Sequence, residues 1–288
     1  MGTSSRWPGP RGNPGSPAGE WSRVRGRLSS WRPGRPDSTE RLDAIAEDCL
    51  AVLHRTLRED PSAFGLKDAA CAAGERLTAA MDNLAAGSGT GLDDLDEAGA
   101  ADADDGDVRT AFLSDFVSAV GGDGGTVADA AVRRAAAATA DRMATHHPEA
   151  LTPGGSGWSG DLLCGLYQWF FADIVAEFLH IVVAENIKLV VPVLPLADPE
   201  DHIADWVAGQ VLHLVPNPCE EAAHLTEAAE QAENAVAALE DPTAGTLAQV
   251  ARGLVPRAVG AALGLLTDAD AGIAAGPTAP PSEETPAA

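Results

Sequence analysis

Behind Asp37-Ser38-Thr39-Glu40, the apolar residues Leu42, Ile45, Cys49, Leu53 and Leu57 recur at helical spacing. The four-residue lead-in reads as a capping box, with Asp37 accepting from first-turn amides and Glu40 reaching back, so a helix over 38–59 is expected. Pro61 ends it, and Leu66, Ala70, Leu77, Met81 and Leu84 predict a second helix over 62–86. Further helices are expected over 108–120 and 126–147, the latter with Thr126 as N-cap and Asp129 at the third helical position. Three later helices share one start signal, because Asp198-Pro199, Asn217-Pro218 and Asp241-Pro242 each set an Asx cap before a proline at the first helical position. They predict helices over 199–214, 218–240 and 242–266, the last kinked or broken at Pro256.

The stretch WFFADIVAEFLHIVVAENIKLVV, residues 169–191, belongs to an expected helix over 160–188. At 100° per residue, Leu166, Trp169, Phe170, Ile174, Val175, Phe178, Leu179, Ile181 and Val182 cover most of its surface. Asp173, Glu177, His180 and Lys188 are confined to one narrow strip, read as solvated. Such a helix is buried on most sides. A membrane span is disfavoured, since any 20-residue window contains at least two of Asp173, Glu177, Glu185 and Lys188, plus His180. Peripheral membrane association through 162–196 is the alternative. VVPVLPL, residues 190–196, is an extended connector, because Pro192 and Pro195 disfavour helical geometry in the residues before them.

No segment alternates with period two, so the fold class is all-α: a bundle of about seven helices around the central helix 160–188, with disordered termini. Composition divides the chain. Residues 1–36 are a basic Arg/Pro/Gly arm with seven Arg and one Glu, read as disordered. A helical pair over 37–86 is joined by an acidic Gly/Asp linker, 87–107, to a helical bundle over 108–266, and a disordered tail, 267–288, follows.

The formal net charge of -24 lies in the body, because the arm is positive. Such a body repels polyanions, which argues against a nucleic-acid partner. Cys49, Cys71, Cys164 and Cys219 form no C-x-x-C pair, and four scattered thiols fit a reducing cytoplasm. The arm lacks the apolar stretch of a secretory signal, which also points to the cytoplasm.

Chemistry-bearing motifs are few. Gly155-Ser156-Gly157-Trp158-Ser159-Gly160 matches G-x-G-x-x-G but follows no strand, and no Gly-Lys phosphate loop or G-x-S-x-G elbow occurs. DADDGD, residues 102–107, lacks the oxygens of a calcium loop at its first and twelfth positions, Ala101 and Phe112. Cys219, at the second position of its helix, where amide dipoles favour a thiolate, is a candidate nucleophile.

Two E-x-x-H pairs, Glu177/His180 and Glu221/His224, set a carboxylate and an imidazole on one helix face and could ligate a transition metal. Di-iron carboxylate bundles use two such pairs, and the chain resembles them in that spacing alone. His224 points away from the apolar seam of its helix, and the additional acids on offer are Asp205 and Asp173 rather than glutamates. That seam, Ala222, Leu225, Ala229, Ala232, Val236 and Leu239, steps 3-4-3-4-3 and offers a face to another helix, of a second copy or of a different protein. With no catalytic constellation in place, the expected role is a non-enzymatic interaction or regulatory module with no cofactor; a metal-dependent helical protein is the alternative.

Overall fold

The computed structural model describes residues 16–85, 105–122, 124–148, 160–187, 198–231 and 244–266. Among them the protein is all-α, with nine α-helices, one short 3-10 turn at Ala63–Gly65 and no strand. The helices are α1 (Pro17–Ser30), α2 (Ser38–Glu59), α3 (Leu66–Ala85), α4 (Asp105–Gly121) and α5 (Val127–His146). They continue with α6 (Gly160–Ile187), α7 (Pro199–Leu212), α8 (Pro218–Gln231) and α9 (Ala244–Ala262).

The long helix α6 is the centre, flanked chiefly by α5 and α7, with α9, α3 and α8 also against it. Its apolar coverage on nearly every face explains this, because each large side chain withdrawn from water contributes about 1.5–3 kcal/mol. Tyr167, Phe170, Phe171, Ile174, Val175, Phe178 and Leu179 are all fully or almost fully buried. Gly160–Ala184 is long and apolar enough to cross a membrane, but 72% of its most apolar window is already covered by the protein itself.

Within this core the Tyr167 ring stands edge-on to Phe171, centroids 4.9 Å apart. The Tyr167 hydroxyl is buried and has no hydrogen-bond partner among the described residues. Burial accordingly pushes its pKa up. An unmade bond of this kind leaves the desolvation of the group uncompensated. Tyr167→Phe should therefore raise stability by about 1 kcal/mol in urea unfolding. A loss of stability would show that the hydroxyl has a partner.

The helix starts follow their caps. Thr126 and Asp129 form the expected reciprocal capping box of α5. The Asp198 side chain accepts from the Asp201 amide at 3.4 Å, and Asn217 Oδ1 from the Cys219 amide at 3.0 Å. Asp37 departs from expectation: it occupies the N-cap of α2 but makes no side-chain cap, and its carboxylate instead lies 3.9 Å from Arg41 one turn on. The Asp37 backbone, at φ -98° and ψ 12°, lacks the extended geometry of a capping residue. α9 continues through Pro256, so of the expected kink or break the break does not occur. Burial of Val255, Ala258, Val259 and Ala262 on one side of α9 holds the helix through it. The third Asx-Pro start, Asp241-Pro242, lies outside the described residues, as do the linker up to residue 104, the connector 190–196 and the tail from 267.

Two larger corrections concern the N-terminal half. The arm is not wholly disordered, because Pro17–Ser30 is a helix capped by Ser16, whose hydroxyl accepts from the Gly19 amide. Trp21, Val24, Leu28 and Trp31 are buried against α2, and the two indoles donate to Thr56 Oγ1 and to the Ser38 carbonyl. Nor does the pair 37–86 stand apart from the bundle. α2 packs on α7 and α3 on α9, and their buried side chains are continuous with those of α6.

Gly74 makes the α3–α9 approach possible. A Cβ there would come within 2.7 Å of the Phe171 ring and 2.8 Å of a Val255 methyl.

Candidate functional site

Among the described residues, two cavities are each lined by several polar side chains. The smaller, about 360 Å³, lies between α5, α6 and α7. Its walls are small residues such as Ala138, Ala176, Ala208 and Gly209, and its polar groups are Arg142, Asp173, Glu177 and Asp205. α6 supplies Asp173 and Glu177 from the strip that the sequence reading took as solvated. That reading is corrected, for Asp173 is only 5% exposed because α5 and α7 close over the strip.

Burial decides the chemistry of Asp173. It raises the carboxyl from its ordinary 3.8 to about 6, although the Arg142 guanidinium 3.2 Å away and the Thr139 hydroxyl at 3.4 Å both favour the charged form. Arg142 also sits over the Trp169 ring at 5.3 Å, which fixes its head group. Glu177, one turn along α6, is raised by burial too and lies 3.8 Å from Arg134. The cleft can thus hold and release a proton near pH 6, but its buried Asp173 and half-buried Glu177 are each met by an arginine. No serine, threonine or cysteine stands among its lining residues.

The larger cavity, about 770 Å³, is assembled from α2, α6, the α7–α8 turn, α8 and α9. His54, Gln168, His213, Asn217, Glu221 and Arg257 bring polar groups to it. Arg257 pairs with Glu221 at 2.9 Å, Gln168 donates to the Val215 carbonyl at 3.1 Å, and His54 Nε2 lies 3.0 Å from the Ala262 carbonyl. Leu214 stands on the rim, 50% exposed.

The four residues of the metal reading are divided between these places. Glu177 faces the small cleft, and His180 on the next turn pairs with Asp201 of α7 at 3.3 Å. Glu221 lines the large cavity, and His224 is exposed. Among the described residues no group of three or more His, Cys, Asp and Glu side chains is placed to hold a metal. The reason is the turn of α8, which directs Glu221 to Arg257 rather than toward α6. His202 meets Asp43 of α2 at 2.7 Å and so serves the α2–α7 contact.

The proposed interaction seam is only partly described. Ala222 is half-buried and Leu225 is 58% exposed, while Ala229 lies on the helix with its surroundings undescribed and Ala232, Val236 and Leu239 fall outside the described residues. The described part of α8 ends at Gln231, and its expected continuation to 240 lies outside the described residues.

Sequence reasoning missed one covalent feature. Cys164 of α6 and Cys219 of α8 form a disulfide, with Cα atoms 5.9 Å apart across 55 residues of chain. Cys219 is therefore no free nucleophile here, and the inference of a reducing compartment from four unpaired thiols loses its premise. Only Cys49 and Cys71 are free, and burial raises both, Cys49 to about 12. No protein family, no curated protein and no solved structure matches the chain.

Proposed function

We propose that this protein is a non-enzymatic helical interaction module, and that its partner surface is α8 with the large cavity beside it. The observation that carries this reading is the placement of exposed leucines. Leu214 on the cavity rim and Leu225, one turn beyond the cavity-lining Glu221, stay in water although the described core is otherwise closed. The only other large apolar side chain exposed among the described residues is Val127. A partner helix laid along α8 would cover Leu225 and place its own side chains against Leu214 and the cavity. A second copy of the chain is the partner to test first, since a heptad-like seam suits a like helix.

Leu225→Asp should abolish self-association in sedimentation while leaving helical circular dichroism unchanged. The expected loss is at least tenfold in dimer affinity, because a desolvated carboxylate at a helix seam opposes burial. A wild-type chain that remains monomeric up to about 100 µM, or a variant that associates equally well, would sink self-association through α8.

A further inference from the structure

The strength with which each helix is tied to the core differs sharply between α7 and α8. α7 buries Pro199, Ile203, Ala204, Val207 and Val211. Over 218–225, the part of α8 whose side-chain surroundings are described, only Pro218 is buried; Cys219, Glu221 and Ala222 are half-buried, and Glu220, Ala223, His224 and Leu225 are exposed. Apolar burial that small holds this first half of the helix weakly. Its polar tie, Glu221 to Arg257, is a pair in which both side chains are about one-third exposed, 30% and 35%. The disulfide to Cys164, by contrast, anchors the second residue of α8 to the central helix α6.

We propose that the Cys164–Cys219 disulfide is a redox latch: oxidised, it holds α8 against α6 and completes the wall of the large cavity; reduced, it releases α8 while the rest of the core stays folded. The wall at stake is Asn217, Glu220 and Glu221. That release switches partner binding rests on the reading of α8 as the partner surface; the release itself does not.

The reductant is a dithiol, and the chemistry is confined to one bond. Cys164 is 3% exposed and Cys219 half-buried, so a reductant thiolate reaches Sγ of Cys219. A new S–S bond forms there as the Cys164–Cys219 bond breaks, and Cys164 departs with the electron pair and takes a proton. The second thiol of the reductant then displaces Cys219, which leaves as a thiolate near the amino end of α8, where the helix dipole favours its charge. Two electrons and two protons reach the protein once that thiolate is protonated, and the reductant becomes a cyclic disulfide. Cys49 and Cys71 do not compete, because burial keeps both thiols protonated.

Hydrogen exchange of the full chain, read by mass spectrometry with and without dithiothreitol, tests the latch. A gain of two mass units in the intact protein establishes complete reduction. Amides of 220–231 should then exchange at least about 100-fold faster, with α5 and α6 unchanged. Cys219→Ser should reproduce that pattern without reductant. Unchanged exchange in α8 after full reduction overturns the latch, as does global loss of protection, which would make the bridge a staple of the whole fold. A non-reduced chain whose four thiols all react with an alkylating agent under denaturing conditions overturns it too. Leu225→Asp leaves the latch intact, so failure of the partner surface and failure of the latch are separate results.

Discussion

Phe171→Ala is expected to lower stability by about 3–5 kcal/mol, the range for deleting a buried aromatic ring. Phe171 lies where three helices meet: Tyr167 and Phe170 of α6 contact its ring at centroid distances of 4.9 and 5.6 Å, and Gly74 of α3 and Val255 of α9 approach from outside. With so many rigid neighbours the vacated volume cannot collapse easily, which sets the cost toward the upper end. Urea unfolding measures it, and a loss below about 1 kcal/mol would place the packing centre elsewhere. The contact with Gly74 supplies a sharper check. Gly74→Ala is strained in the wild type, where the added carbon meets the Phe171 ring, and should be better tolerated once that ring is gone. The two changes together should therefore cost less than their sum by about 1 kcal/mol or more.

The second large effect is one of pH. Asp173 titrates at about 6 in the folded protein against 3.8 ordinarily, so the folded chain holds this proton more tightly than the unfolded one. For a carboxyl raised in this sense, the favourable contribution is complete below about 3.8 and is lost as pH rises through 6. The shift corresponds to on the order of 3 kcal/mol at neutral pH. Asp173→Asn keeps the shape and some of the hydrogen bonding but removes the charge. Its stability should match wild type near pH 4 and exceed it by about 2–3 kcal/mol at pH 8. The groups that modulate this are Arg142 and Thr139 of α5, Glu177 of α6 and Asp205 of α7, and none of them changes in the variant. Denaturation midpoints at several pH values decide it; a variant less stable than wild type at pH 8 would mean that the ion pair with Arg142 outweighs the burial of the charge.

His54 moves stability the opposite way. Burial lowers its pKa, so its contribution is present at neutral pH and lost as pH falls below its ordinary 6.5.

What the sequence showed clearly was local. The centrality of α6 followed from apolar residues on most of its faces, and the caps at Thr126, Asp198 and Asn217 from two or three adjacent residues. What it hid was set by packing partners. Periodicity places Asp173 on a strip but does not say that α5 and α7 cover that strip, so a buried proton-binding carboxyl read as a solvated one. In the arm, abundant Arg, Pro and Gly outweighed a legible signal: Ser16-Pro17 is the same cap-and-proline start used later, and Trp21, Val24, Leu28 and Trp31 step at helical intervals. The disulfide joins residues 55 apart, and no spacing rule pairs such cysteines. The large cavity draws His54, Gln168, Glu221 and Arg257 from four helices, a convergence that exists only once the tertiary fold does.

The close seating of α3 on α9 through Gly74 also has a meaning for synthesis. About 180 residues separate Gly74 from Val255, so at ordinary translation speeds the ribosome needs on the order of 10–40 s to deliver the second after the first. During that interval the side of α3 that α9 will cover lacks this partner. The nascent chain must therefore wait, partly assembled around α6, for its last described helix, and that interval is when a chaperone would be needed most.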